Sequence, residues 1–438
     1  MKLEDMILVS VDDHICEPDD LFTHHMPAQY KAQAPKVVST AFGQAWEVEG
    51  KRVPGLGLNA VVGRPRVEYG MEPTGYDQLR PGTYDVHARI GDMNANGILG
   101  SLCFANFPGF SGGRFQKLAD KNLGLAILRA YNDWHVHDWA GAYPGRFIPV
   151  AILPLWDMKL CIAELRRMID LGVRAISFPD NPAGVAYVAG RSELPSIHDP
   201  YWEPLWALCN DSNVVICCHI GTGSSPPYAS DLSPIASWIA ALPMATANVA
   251  ADWLFASFWS RYPNLRMALS EGGVGWIPYF LERADFTVRQ HGAWTNLNLG
   301  GKMPTEIFRK HIIACFIEDD FGLQNRHAIG INNMTWECDY PHSDCTWPLS
   351  PESLWRGIQT LPDHEINQIT HLNAMRDFSY TPFDIFKPED CTVGGLRAKA
   401  MAAGVDTAER SVPGGLRPRF EPGQPVTSGH VQKLMATV

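Results

Sequence analysis

None of the ten cysteines stands in a CxxC pair, which removes the usual short-spaced zinc and thiol-redox patterns. Several lie in apolar, strand-like runs, so the expectation is buried free thiols in a reducing compartment, and a cytoplasmic enzyme. No stretch reaches the roughly 18 apolar residues of a membrane span, so no membrane partner is expected. The opening residues, MKLED, run straight into a strand and lack the apolar region and cleavage site of a signal peptide. There is no basic tract and no RNA-binding motif, and the net charge of −11 argues against a nucleic-acid partner. No GxGxxG follows an early strand, which argues against an open dinucleotide-binding sheet. No internal repeat is present.

What is present is apolar and strongly patterned. With 438 residues, 46% hydrophobic and 11% aromatic, the chain can bury a large core, as one barrel or as two to three ordinary domains. Thirty-three Pro, 38 Gly and 14 Trp imply long, structured loops. The organising stretch is MILVSVDDHICEP at 6–18: an apolar run that breaks into Asp12, Asp13 and His14, with Glu17 just beyond. Further short apolar strands are expected at 97–104, 147–153, 173–178, 214–219, 265–270, 312–316 and 334–339, alternating with helices. Helices are expected at 88–96, 114–142, 158–171, 201–210, 233–260 (in two pieces near Pro243) and 274–290, with two more from Pro351 and Asp363. This alternation favours an α/β fold, specifically a closed parallel (β/α)8 barrel over residues 1–387. Residues 19–82, irregular and rich in Pro and Gly, read as an insertion over the barrel mouth, and 388–438 as a C-terminal extension.

The polar residues gather at the strand ends, where α/β barrels keep their chemistry. Asp12 and His14 are two apart on an extended strand and so point to one side. The fifth strand ends in His219, followed by the small residues 221–225. The sixth ends in Ser270-Glu271-Gly272-Gly273, and the eighth in Glu337-Cys338-Asp339-Tyr340-Pro341-His342. Taken singly, each is an ordinary cap. Taken together at one rim, their mixed nitrogen and oxygen donors suit a divalent metal: Zn, Mn or Fe.

The motifs VDDHICEP (11–18), YDVHARIGDMNANGI (84–98), AYNDW (130–134), GRFIPVAILPLWD (145–157), CHIGTGSS (218–225), SEGGVGWIPYFLERAD (270–285) and WECDYPHSDCTWP (336–348) carry a resemblance. Over residues 6–380 the chain resembles the amidohydrolase superfamily, in the amidohydrolase-2 branch that contains aminocarboxymuconate-semialdehyde and resorcylate decarboxylases. The resemblance implies metal ligands at Asp12, His14, His219 and Asp339, with Asp339 also handling protons. Two departures stand out: Asp12-Asp13-His14 replaces the His-x-His of many relatives, and Glu271 stands where the decarboxylases have a His. Glu271 is expected as acid/base or as a further metal ligand, and His342 as a catalytic participant. The excess of carboxylates keeps a dinuclear Fe or Fe/Mn centre open.

Lesser residues get plainer readings. Glu337 is expected as a fixed partner behind the site, and Glu17 as a loop-packing residue. Arg89 and Asp92 read as an ordinary helix ion pair, His87 as a helix cap, His135 and His137 as poor joint ligands, and His24 and His25 as surface residues. Phe104, Phe107, Phe110, Trp156 and Trp347 read as core or as a pocket wall. The expected activity is hydrolysis or decarboxylation of a small organic acid or amide. The alternatives are a dinuclear oxygenase hydroxylating a small substrate, and an inactive barrel subunit. The partner expectation is a small-molecule substrate within a homo-oligomer, or a hetero-oligomer with a paralogue.

Overall fold

Strand β1 (Leu8–Ile15) runs through the Asp-Asp-His triplet instead of breaking at it, and lies parallel to β5 (Ile98–Ala105) and β6 (Phe147–Ile148). The insertion supplies β2 (Lys36–Thr40), β3 (Gly43–Val48) and β4 (Lys51–Val53), an antiparallel three-stranded sheet. A second parallel set runs β7 (Val150–Ala151), β8 (Ala175–Ser177), β9 (Val215–His219), β10 (Arg266–Ser270), β11 (Ile312–Phe316), β12 (Met334–Trp336). The computed structural model describes the chain except residues 42, 54, 70–72, 185–193, 225–228, 413–422 and 437–438. Ser225 and part of the C-terminal extension therefore lie outside the described residues.

The two parallel sets form one ring. β6 and β7 are a single strand position split at Pro149, which has no N–H to donate to a ladder. At the other seam, Asp339 N donates to Asp12 O at 2.8 Å and His14 N donates to Tyr340 O at 2.6 Å. The segment after β12 thus hydrogen-bonds to β1 at the level of the polar cluster.

Period-two alternation fills both sides of the ring. Val9, Val11, Leu102, Phe104, Val150, Val215, Cys217, Ala268, Ile313 and Cys315 form one buried cluster inside it. Their strand neighbours, among them Leu8, Ile98, Ile216, Met267, Leu269, Ile312 and Trp336, belong to the outer core beneath the helices. A fully buried Val, Leu or Ile of this kind contributes about 1.5–3 kcal/mol. On β9 the inward positions 215 and 217 lead to His219, so the barrel's own packing aims that imidazole.

Several elements differ from expectation. The 114–142 stretch is three pieces, Gly113–Gln116, Lys121–Trp134 and a π-helical turn His135–Ala140. Helix Pro304–His311 and the antiparallel sheet of the insertion were not anticipated. The insertion touches the rim: Val62 N donates to Pro341 O at 3.1 Å, and Asn106 Nδ2 to Leu56 O at 2.7 Å. The C-terminal segment packs back on the barrel through helix Val393–Ala402, with Val393 N on Met6 O at 2.8 Å. All ten cysteines are buried and free. Among the described residues no helix is long and apolar enough to cross a membrane.

Candidate metal centre

The pairing of β1 with β5 slips between Ser10↔Ser101 and Asp13↔Cys103, so β1 carries one extra residue there. Such a bulge re-aims side chains. Asp13 turns to the outer side, where Tyr340 N donates to its Oδ1 at 2.9 Å and the Ser101 hydroxyl donates to Oδ2. Asp12 and His14 meet at the rim with residues from β9, β10 and the segment after β12. His14 Nε2 lies 3.4 Å from Asp12 Oδ1, 3.2 Å from Asp339 Oδ1 and 3.1 Å from His219 Nε2. His219 Nε2 lies 3.4 Å from both Asp12 Oδ2 and Glu271 Oε2. His342 Nδ1 is 2.8 Å from Asp339 Oδ1, and its ring stacks on His14 at 3.9 Å.

These contacts are close, yet both carboxylate oxygens of Asp12, both of Asp339, and His14 Nδ1 are buried without a hydrogen-bond partner. Buried polar atoms in that state are rare and need an explanation. His219 supplies one: its Nδ1–H donates to Ile220 O at 2.6 Å, which leaves Nε2 as a bare lone pair facing the carboxylates. Donor atoms of Asp12, His14 and His219, and of His14, Asp339 and His342, lie within 4.8 Å of one another. Imidazole and carboxylate donors with unmatched lone pairs fit a divalent cation. The two triads overlap at His14.

Electrostatics points the same way. Burial, then mutual repulsion, pushes the carboxyls of Asp12 and Asp339 well above the ordinary range, and Glu271 likewise. Burial holds the imidazoles neutral, His219 at about 3 and His342 at about 4. Within the cluster, Glu271 at 59° and Asp339 at 58° carry positive φ. Non-glycine residues in that region cluster where function over-determines the backbone. Glu337 explains how one is held: wholly buried, its carboxylate accepts the Glu271 N–H at 3.1 and 3.2 Å.

A family model described as Amidohydrolase matches residues 83–379. The chain belongs to the amidohydrolase family. The match starts after β1, so the arrival of Asp12 and His14 at the rim is a finding of the fold. Among the curated relatives, 2-amino-3-carboxymuconate-6-semialdehyde decarboxylase of Dictyostelium discoideum is 24% identical over 59% of this chain and 68% of that protein. Gamma-resorcylate decarboxylase of Rhizobium radiobacter is 23% identical over 66% of this chain and 86% of its own. The crystal structure of 5-carboxyvanillate decarboxylase from Novosphingobium aromaticivorans, complexed with manganese and 4-hydroxy-3-methoxy-5-nitrobenzoic acid, is similar in fold. Its TM-score is 0.59 at 16% identity, covering 86% of this chain and 99% of that one.

Around the amidohydrolase rim, the remaining residues sort by contact. Phe110 is half-buried, with its ring 4.6 Å from His14 and 4.4 Å from His219, and Phe104 backs His219 at 5.1 Å. The loop that carries Phe110, GFSGG at 109–113, spells the GxSxG of a serine elbow, but its Ser111 is buried and what meets the imidazoles is the phenyl ring. Phe107 stacks on Trp46, away from the cluster. His135 is buried, and its Nε2 accepts from Val150 N at 3.3 Å. His87 meets the Tyr143 hydroxyl at 2.9 Å. The Arg89–Asp92 ion pair does not form: Asp92 is held by Arg80 at 2.6 and 2.8 Å, while Arg89 turns inward to main-chain carbonyls. Arg80 sits in the insertion, which offers no periodicity from which to read that partnership.

Glu17 packs a loop, as its place before Pro18 implies, accepting N–H groups of Asn106 (2.9 Å) and Phe107 (2.7 Å). Burial outweighs those bonds and raises its carboxyl from the ordinary 4.5 to about 7. The folded protein therefore holds a proton that the unfolded chain releases between those values, and stability falls as pH rises from about 4.5 to about 7. Thermal melts across that window should show the parent losing stability relative to Glu17→Gln as pH rises, by a few kcal/mol at most. Parallel pH dependences in the two proteins remove the Glu17 contribution.

Proposed function

We propose that this chain is a metal-dependent decarboxylase of small aromatic or unsaturated carboxylic acids. The observation that carries the reading is the convergence of Asp12, His14, His219 and Asp339, with Glu271 beside them, in a family whose similar curated relatives are decarboxylases. Asp12, His14, His219 and Asp339 would hold the metal, which would offset their buried charge and polarise a substrate oxygen. Support for manganese comes from the 5-carboxyvanillate decarboxylase structure, and the donor set accommodates Zn or Fe as well.

The chain's own residues then divide the work. Half-buried Phe110 offers an apolar face against which a flat ring packs. The bond between the ring carbon and its carboxylate breaks, CO2 leaves, and the electron pair left on carbon takes a proton. Glu271 is the donor: its side chain is 18% exposed where those of Asp12 and Asp339 are wholly buried, so it faces incoming substrate and can be reprotonated. His342, stacked on His14 and 2.8 Å from Asp339, keeps that carboxylate in place.

Elemental analysis of protein expressed with Fe, Mn and Zn all available, paired with CO2 release from a panel of hydroxybenzoates, tests the reading. About one Mn or Zn per chain with CO2 release is the expected result. Amide hydrolysis without CO2 release replaces decarboxylation with hydrolysis. About two Fe, or Fe with Mn, together with oxygen consumption favours the oxygenase. A chain that takes up no metal and turns over nothing overturns the proposal.

A further inference from the structure

Helix Val86–Ala95 sends one cation beneath the centre. Arg89 is 1% exposed. Its Nη2 donates to the main-chain oxygen of His14 at 2.5 Å, its Nε to that of Gly82 at 2.6 Å, and Nη1 lies 3.5 Å from Cys103 Sγ. Its guanidinium carbon stands 4.2 Å from the centre of the Tyr340 ring. Tyr340 follows Asp339, and its phenol donates to Asp92 Oδ2 at 2.6 Å, so the ring is held at both ends. Asp13, between Asp12 and His14, takes the Tyr340 N–H from the same side.

One guanidinium thus touches two of the segments that deliver the cluster: the carbonyl of His14 by a hydrogen bond, and the residue after Asp339 by its ring. Its two short bonds go to main-chain carbonyls rather than to a carboxylate. A planar fork that binds and stacks at once is a geometry that lysine cannot reproduce. Glycine at position 82 belongs to the same fit, because a Cβ there would lie 2.3 Å from Asp92 Oδ2 and 2.7 Å from the Tyr340 hydroxyl.

We infer that Arg89 is a positioning residue of the metal centre: it fixes where the His14 imidazole and the Asp339 carboxylate stand, and through them sets metal affinity, without touching metal or substrate. The inference rests on the metal-centre reading above. Partners behind metal ligands typically change affinity about 10–100-fold when replaced.

The experiment is titration of metal-stripped protein with Mn2+, read by calorimetry and by the EPR spectrum of the bound ion. Arg89→Lys, which keeps the buried charge but loses the fork, is expected to bind about tenfold more weakly, and Arg89→Met up to about 100-fold. Both should alter the shape of the bound-ion spectrum, which a loss of fold stability alone leaves unchanged. If Arg89→Met does not fold, Arg89→Lys decides. Folded variants that bind Mn2+ as tightly as the unsubstituted protein, with the same spectrum, overturn the inference and leave the centre standing. Unsubstituted protein that binds none of Mn2+, Zn2+ and Fe2+ overturns both.

Discussion

Asp339→Asn is expected to abolish metal-dependent stabilisation while leaving the fold intact. Both oxygens of the Asp339 carboxylate are buried without a hydrogen-bond partner, and one faces His14 at 3.2 Å and His342 at 2.8 Å. An amide of the same size keeps the backbone bond from Asp339 N to Asp12 O, so the seam between β1 and the last strand survives. What it loses is the anionic donor. Replacing a direct ligand should cost no less than replacing a partner behind one, at least about 100-fold in affinity. At free metal 100 times its Kd, the unsubstituted protein gains about 2.7 kcal/mol of stability. At the same concentration the Asn variant sits near its own Kd and gains about 0.4 kcal/mol. Thermal melts with and without chelator should therefore show a large shift in one protein and almost none in the other. Without metal, the variant should melt no lower than the parent, because a buried carboxyl group has left a cluster of mutually repelling ones. Equal chelator shifts in both proteins would remove Asp339 from the centre.

Which parts of this fold can be read from the sequence follows from where the information sits. VVICCH at 214–219 declares a buried strand because its inward side chains, Val215 and Cys217, alternate with outward Ile216 and Cys218, and His219 continues the inward row. IIACF at 312–316 is legible for the same reason and matches β11 from end to end. Local pattern fails where the partner is distant. Arg89 and Asp92 have ideal helix spacing for a pair, yet Arg80 and the His14 carbonyl take them, and both of those partners lie outside the helix. The insertion hid its sheet because β2 and β4 bury no residue fully, so their apolar alternation is weak. Pro149 split a strand that apolarity alone made continuous. The rim residues themselves were visible as polar ends of apolar runs. Their mutual distances were not, because a bulge in β1 and positive φ at Glu271 and Asp339 are decided by the closed ring.

Glu271→Gln should separate holding a metal from moving a proton. Glu271 enters from β10 with its N–H fixed by Glu337, so glutamine can occupy the same space on the same backbone. Its carboxyl touches the cluster only through the 3.4 Å approach of Oε2 to His219 Nε2, and it alone of the carboxylates that meet there is partly open to solvent. An amide offers that imidazole a similar dipole but has no carboxyl proton to give. Turnover should therefore fall by about 10²–10⁴, the usual worth of a positioned proton donor, while metal content stays near that of the unsubstituted protein. Glu271→Asp, which keeps the acid on a shorter arm, should recover part of the loss. The opposite pattern, metal and activity vanishing together in Glu271→Gln, would make Glu271 a ligand first and move the proton-donor role to Asp339. That result would also account for the chain's use of a carboxylate on the sixth strand, since an added anionic ligand tightens a hard cation where an imidazole would favour a softer one.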